Sequence, residues 1–435
     1  MTSAAVGHPG IWQELLPPGR RFVALPSKQR PIVVAEAEPR VLRYVRTALL
    51  ATPPRSAAPA WLYTSARHAL RVPGAWRLAP RLTVRPSAPG APTQRLDSSV
   101  SASGPGPSPV EALIAESGVS LLALDHSHNP DARVVLLLFA PHGHWPTLAL
   151  KVPSGPEAAA RVLNEADRLR TIGTLPLGAV APTVPRAVRV LRHGGLPVMV
   201  TTAQPGVPML VAYHRSGHTA RPARVQEDLD RAAAWLAALQ SATAGETAPL
   251  DIAPGAVAAL VRRLAREPDA GDRVLSLVAA LRRRLRRYSA PRTVVHGDFW
   301  PGNVLVRHGR VCGVVDWEWA ETAGSPTRDL AHFARGYSEY LDRHTGTGHG
   351  VRGHPGIVAG VPGAGVAYAL DGSGWYPRLI RRFLTAGLER LALPGVVGRD
   401  AVLAELVAVA AEATDEHFAR RQLQAFEHLA VGVTA

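Results

Sequence analysis

Residues 295–303 read "VHGDFWPGN", and a second polar fragment, "VVDWEWA", follows at 314–320. Both sit in an otherwise apolar stretch, "TVVHGDFWPGNVLVRHGRVCGVVDWEWA". The pieces "NVLV" and "VCGVV" alternate and branch like strands, and "RHGR" between them reads as a turn. A hairpin of that kind brings its two ends together, so Asp298, Asn303 and Asp316 converge on one pocket. An amide oxygen beside a carboxylate suits Mg²⁺, a hard cation that takes oxygen ligands and retains waters. A second carboxylate at Asp298 can then orient an attacking hydroxyl and accept its proton.

The remaining composition narrows the setting. The chain has 435 residues, 46% of them hydrophobic, enough for large cores in more than one globular unit. No uninterrupted run of about 20 apolar residues occurs, which argues against a transmembrane segment. The first residues show no basic start followed by an apolar stretch and a small-residue cleavage site, so a cytoplasmic location is expected. The single cysteine, Cys312, has no internal disulfide partner and reads as a small buried apolar side chain.

Charge is uneven. Of the formal +15, residues 1–100 contribute +10, from 14 Lys or Arg against 4 Asp or Glu. This basic front could steer an acidic partner, nucleic acid or an anionic membrane surface, though scattered arginines are more often a solvated face. Nucleic acid is not the expected partner: the run "LRRRLRR" at 281–287 reads as a helix with Leu281 and Leu285 inward and arginines in water. Only two lysines, Lys28 and Lys151, stand against 47 arginines. A buried ammonium is costly unless paired, so Lys151 at the end of "TLALKV" is expected to face an anion. Glu165, 14 residues on in the helix "AAARVLNEADRL", is its expected partner.

Four regions follow from the pattern. Residues 1–88 hold strand-like "RFVALPS" and "RPIVVAEA" and a helical segment from Glu38, a small basic α/β region. Residues 89–108, rich in Pro, Ser and Gly, read as a linker. Residues 109–205 carry a short helix, several strands and one longer helix that begins near Ser154 and Pro156. Residues 206–435 are mainly helical, with an apolar stripe at Val225, Leu229, Ala232, Leu236 and Leu239 beside Trp235. Further helices are expected within 255–287 and over 325–342, 375–394 and 400–430, and the Gly-rich stretch 349–374 reads as a long loop or insertion.

The pairing of "HGDFWPGN" and "VVDWEWA" with a lysine in an upstream sheet resembles the aminoglycoside phosphotransferase and choline kinase superfamily. The resemblance covers about residues 108–435. It implies an α+β fold of two lobes, protein-kinase-like, with the first hundred residues as an addition. It further implies Mg²⁺-dependent transfer of the γ-phosphoryl group of ATP, or GTP, to a hydroxyl of a small molecule. Asp298 would be the base, Asn303 and Asp316 the metal ligands, and Glu318 an aid through a metal-bound water. Lys151 would contact the α- and β-phosphates, oriented by Glu165. His296 would brace the catalytic loop, Asp329 would support it from behind, and the backbone of Thr201, Thr202 and Ala203 would meet the nucleotide base at the hinge.

Two departures stand out. The loop expected over the phosphates, "LDHSHNPDAR", contains no glycine, so main-chain N–H groups and the side chains of Ser127, Asn129 or Arg133 would have to reach the phosphate. The protein-kinase D-F-G and A-P-E signatures are missing, which favours a small acceptor over a protein. Sugars, amino alcohols, aminoglycosides and nucleoside or polyketide-like hydroxyls all remain candidates. A polycationic acceptor would call on local acids, among them Glu318, Glu321, Asp329, Glu339 and Asp342. The competing reading is a catalytically silent kinase-like scaffold.

Overall fold

The computed structural model describes residues 15–25, 31–49, 81–83, 109–116, 118–125, 133–265 and 268–431. The chain divides into two compact units, Met1–Asp167 with Pro185–Pro205, and Arg168–Val184 with Gly206–Ala435. The secondary structure is α+β.

The first unit is built on β1 (Arg21–Leu25), β2 (Val33–Glu36), β3 (Arg81–Thr83), β4 (Ser120–Asp125), β5 (Arg133–Phe139), β6 (Pro146–Pro153), β7 (Ala187–His193) and β8 (Leu196–Thr202). Helix α1 (Pro39–Tyr44), α2 (Pro109–Glu116) and α3 (Pro156–Gly173), the last belonging to this unit up to Asp167, accompany them. Among the described residues the eight strands form one sheet, ordered β3-β1-β2-β4-β5-β6-β8-β7. Residues 1–88, expected as a region of their own, therefore supply strands to the sheet formed after residue 109. The reason lies in β2. Its residues Val33, Val34 and Ala35 are all buried, so both faces need cover and both edges need partners. It takes β1 on one side and β4 on the other, with Val34 opposite Ala123. Leu15, Leu16, Phe22 and Val34 join Val110, Ile114, Leu121, Leu136, Leu150 and Val198 in one apolar core. Polar latches follow the same seam: Arg20 donates to the Val119 carbonyl at 2.6 Å, and the Leu121 N–H donates to Glu36 at 3.0 Å. The expected linker, 89–108, lies outside the described residues.

The second unit contains β9 (Val207–Pro208), α4 (Met209–Tyr213), α5 (Pro222–Thr243), β10 (Thr247–Pro249), α6 (Pro254–Leu264), α7 (Pro268–Leu285), β11 (Ser289–Pro291) and β12 (Thr293–Val295). After these come β13 (Val304–Arg307), β14 (Arg310–Val314), β15 (Glu321–Gly324), α8 (Thr327–Glu339), α9 (Ala364–Asp371), α10 (Trp375–Glu389), α11 (Val397–Glu412) and α12 (Glu416–Val431). The stripe read from the sequence is the buried side of α5, Val225 through Leu239 with Trp235. Helix α8 is buried along twelve successive residues, Thr327 to Ser338, so its ionisable side chains must find partners inside the protein.

Three sequence readings change. The segment 400–430 is two helices, because the Asp415 side chain accepts the N–H groups of His417 and Phe418 at 2.8 and 3.1 Å and starts a new helix. The Gly-rich stretch includes α9, which begins after Gly363 in a left-handed conformation. Cys312 is half-buried rather than buried. In "LRRRLRR", Leu281 and Leu285 are buried as expected. Of its five arginines, Arg283, Arg286 and Arg287 are exposed as expected, while Arg282 and Arg286 pair with Asp251 and Arg284 with Asp400. Among the described residues no helix is long and apolar enough to cross a membrane.

Trp235 ties α5 to the segment that carries the first motif. Its ring stacks on Phe299 with centroids 4.9 Å apart and planes 10° apart, and its N–H donates to Thr183 at 2.8 Å. Trp235→Ala is expected to cost about 3–5 kcal/mol in urea unfolding. Trp235→Phe, which keeps a stack and frees Thr183, should cost about 1–2 kcal/mol. Equal midpoints for wild type and Trp235→Ala would contradict this placement.

Candidate active site

Strand β12 ends at Val295, and the loop His296–Asn303 follows. Two constraints set its path. Gly297 sits at φ +82°, where a Cβ would collide with the Trp319 backbone, so glycine is required. Asp329, in the first turn of α8, accepts the N–H of His296 at 2.7 Å and that of Gly297 at 2.9 Å. Burial pushes the Asp329 carboxyl up to about 6, opposed by those two donors and by Arg328.

His296 is held neutral. Burial lowers its pKa to about 4, against the pull of Asp298. Its Nε2 donates to the Val315 carbonyl at 2.9 Å, and its Nδ1 lies 3.2 Å from the Asp298 N–H and accepts from it. Both nitrogens are thus committed to backbone, which fits a brace. The ring meets Trp317 edge-on at 4.6 Å, and Trp317 is fully buried.

Asp298 keeps about a third of its side chain exposed. Its Oδ2 accepts Asn303 Nδ2 at 2.7 Å, and the same amide nitrogen reaches the Asp298 carbonyl at 2.9 Å. This fixes the Asn303 amide with Oδ1 turned away. Asn303 itself opens β13, and the Val315 N–H donates to its carbonyl at 3.0 Å. Strands β13 and β14 pair from Val304↔Val314 to Arg307↔Arg310. Their two-residue turn, His308 and Gly309, has φ of 50° and 75°, the primed geometry that matches strand twist. Asp316 therefore follows directly on the residue paired with Asn303. It adopts φ +66°, a left-handed conformation that Asp tolerates better than most residues and that clusters at functional sites. Glu318, half-buried, lies in the turn after it.

These donors fit a divalent cation. With Nδ2 committed to Asp298, Oδ1 is the atom of the Asn303 amide that could take a metal. No group of three or more His, Cys, Asp or Glu side chains among them could hold an ion alone. One carboxylate and one amide oxygen leave most positions to phosphate and water, the pattern typical of Mg²⁺.

In the first unit, Lys151 of β6 lies 2.6 Å from both carboxylate oxygens of Glu165 on α3. Both residues are buried, at 7% and 2% exposure, so the pair meets the condition for a tolerated interior ammonium. Of the segment expected at the base, the Thr202 N–H is donated to Arg186 and the Ala203 N–H to Thr147. Thr201 lies in β8, paired with Ala149. Ser127 and Asn129 lie outside the described residues.

Sequence reasoning missed the groups behind Asp298. His332 Nε2 is 3.1 Å from Asp298 Oδ1, and His332 Nδ1 is 2.6 Å from Glu405 Oε1. Arg328 bonds Glu321 at 2.6 Å and Glu412 at 2.9 Å. One signal was present: Glu405 is a lone acid in the apolar run "VLAELVAVAA", and a buried acid demands a partner.

Burial and Arg335 both lower the His332 pKa, but Glu405 and Asp298 outweigh them and hold it at about 9. A histidine raised above its ordinary value stabilises the fold fully below about pH 6.5 and loses that contribution as pH rises through about 9. Glu412 and Asp329, raised to about 7 and about 6, finish titrating earlier. The melting temperature should therefore fall between about pH 7 and about pH 9.5, and His332→Gln should flatten that slope. An unchanged slope in the variant would contradict the assignment.

The sequence pattern of a "Phosphotransferase enzyme family" matches residues 127–354, half of the chain. No curated protein matches it. Among solved structures, a thermostable mutant of aminoglycoside phosphotransferase APH(4)-Ia bound to ADP and hygromycin B is similar at 14% identity. It covers 74% of this chain and 98% of that one, with a TM-score of 0.48. ADP-bound APH(2'')-Ib shows 15% identity, 73% and 96% coverage and a TM-score of 0.41. APH(3'')-Id from Streptomyces rimosus shows 15%, 73% and 96%, and 0.39. The assignment rests on the matched segment 127–354 and its motifs. The chain belongs to the phosphotransferase enzyme family, the aminoglycoside phosphotransferase and choline kinase-like group.

Proposed function

We propose that this protein transfers the γ-phosphoryl group of ATP to a hydroxyl of a small molecule, with Asp298 as general base and Asn303 and Asp316 as Mg²⁺ ligands. The observation that carries the reading is the Asn303 amide. It fixes Asp298 through Nδ2 and leaves Oδ1 for the cation, so one side chain sets both the base and the metal position.

Asp298 orients the acceptor hydroxyl and takes its proton as the acceptor oxygen bonds to the γ-phosphorus. The bond from that phosphorus to the β,γ-bridging oxygen breaks, and ADP leaves. When bound, Mg²⁺ neutralises charge on the phosphates. His296, neutral and bonded to backbone at both nitrogens, transfers no proton in this scheme. Lys151, held by Glu165, is the cation offered to the nucleotide phosphates in the first unit. Glu318 is a further candidate near the metal.

The acceptor is better sought among neutral or singly charged compounds than among polycations. Leaving Glu318 aside, four of the five acids that could serve a polycation are engaged within the protein: Glu321 is spent on Arg328 and Glu339 on Arg335. Asp329 is spent on the catalytic loop, and Asp342 accepts the Gly360 N–H at 2.9 Å. Sugars and amino alcohols should therefore support faster ATP turnover than aminoglycosides in a coupled assay. The reverse order would exclude this acceptor class.

Asp298→Asn is expected to lower turnover by roughly 10²–10⁴-fold with nucleotide affinity within about twofold of wild type. Full turnover in the variant would remove Asp298 as base. Asp316→Ala should lose the Mg²⁺-dependent part of nucleotide affinity. Calorimetry giving equal affinity with and without Mg²⁺ in both proteins would remove the metal assignment.

A further inference from the structure

The two oxygens of Asp298 are held from opposite sides, Oδ2 by Asn303 Nδ2 and Oδ1 by His332 Nε2. Behind His332, on α8, stands Glu405 of α11, 73 residues later in the chain. Both are 3% exposed. A neutral imidazole has one donor and one acceptor nitrogen. With a carboxylate oxygen 2.6 Å from Nδ1 and another 3.1 Å from Nε2, a neutral ring would aim a lone pair at an anion. Two N–H groups satisfy both.

The other charged neighbours do not reverse this. On the same helix, Arg335 Nη2 lies 3.4 Å from Nε2, farther than Asp298, and Arg335 is paired with Glu339. Arg328 is paired with Glu321 and Glu412 and its Nε also lies 3.8 Å from Glu405 Oε2, farther than His332 lies from Oε1, and Asp329 is paired with the backbone of the loop. On α11, Glu412 lies with Arg328. In the loop, His296 is neutral. Glu405 and Asp298 are thus the two acids in direct contact with the ring. The neighbours of Glu405 along α11, Leu403, Leu406 and Val407, are buried and apolar, so the carboxylate answers to its charged partners, His332 at 2.6 Å and Arg328 at 3.8 Å, rather than to packing.

We infer that His332 is a positioning residue for phosphoryl transfer: backed by Glu405, it donates to Asp298 Oδ1 and fixes the plane of the base, so that the remaining lone pairs face the acceptor hydroxyl. The inference rests on the reading of Asp298 as base. It goes beyond that reading by making a buried imidazolium and a carboxylate on a distant helix part of the machinery. The ring acts in its charged form, so turnover should decline on the alkaline side as the imidazolium loses its proton, with kcat affected and KM for ATP little changed.

The test has two readouts on the full-length chain. The first is an NMR titration of the His332 ring in wild type, Asp298→Asn and Glu405→Gln, with no ligand added. His332 should bind its proton well above an ordinary histidine in wild type, and each variant should weaken that binding by about tenfold or more. An unmoved titration in Asp298→Asn would overturn the coupling. Asp298 is partly exposed, so this variant is expected to fold even if His332→Gln does not. The second readout is slow hydrolysis of Mg·ATP with water as acceptor. His332→Gln should lower kcat by roughly tenfold to a hundredfold at similar KM and abolish the alkaline decline. A wild-type kcat and pH profile in that variant would overturn the positioning role. Absence of hydrolysis in wild type would count against the proposed function instead, while the ring titration would still judge the coupling.

Discussion

A single buried carboxylate organises the loop His296–Asn303, which carries the proposed base. Asp329 accepts two successive backbone N–H groups, from His296 and Gly297, and so fixes the chain one residue before Asp298. Burying a carboxylate is unfavourable, and here two N–H donors offset that cost. Everything else at the site depends on the resulting path. Gly297 can take φ +82° against Trp319, His296 can bridge to Val315, and Asp298 can meet Asn303.

The same helix that supplies Asp329 also supplies Arg328, His332 and Arg335, all buried. An interior helix with four ionisable residues is stable only if each is paired, and each is: with backbone, or with Glu321, Glu405, Glu412 and Glu339. Helix α11 provides two of those acids. Packing of α8 against α11 is thus both apolar and electrostatic, and the electrostatic part leads directly to the proposed base. Asp316 adds local strain, since a non-glycine residue at φ +66° is disfavoured by about 1 kcal/mol or more. That conformation turns the chain out of β14 just where a metal ligand is proposed.

Much of this was legible before any coordinates. The turn "RHGR" set the hairpin, and the hairpin placed Asp316 beside Asn303. Lys151 found Glu165 because a strand followed by one long helix fixes which helical residues can reach back. The stripe on α5 was equally plain. Contacts between distant segments were not legible. Glu405 reads as an ordinary helical acid until α11 is packed against α8. The first 88 residues look like a separate region because composition breaks at the Pro-, Ser- and Gly-rich stretch, whereas strand pairing depends on exposed edges that composition does not report. Arg282, Arg284 and Arg286 look solvent-facing until Asp251 and Asp400 are brought to them.

The most direct measurement is a crystal structure of the protein with ADP and Mg²⁺. The account expects an octahedral ion about 2.1 Å from Asn303 Oδ1 and from an Asp316 carboxylate oxygen, with phosphate and water completing the shell. It expects Asp298 outside that shell and still bonded to His332. An ion held by Asp298, or held away from Asn303 and Asp316, would contradict the account.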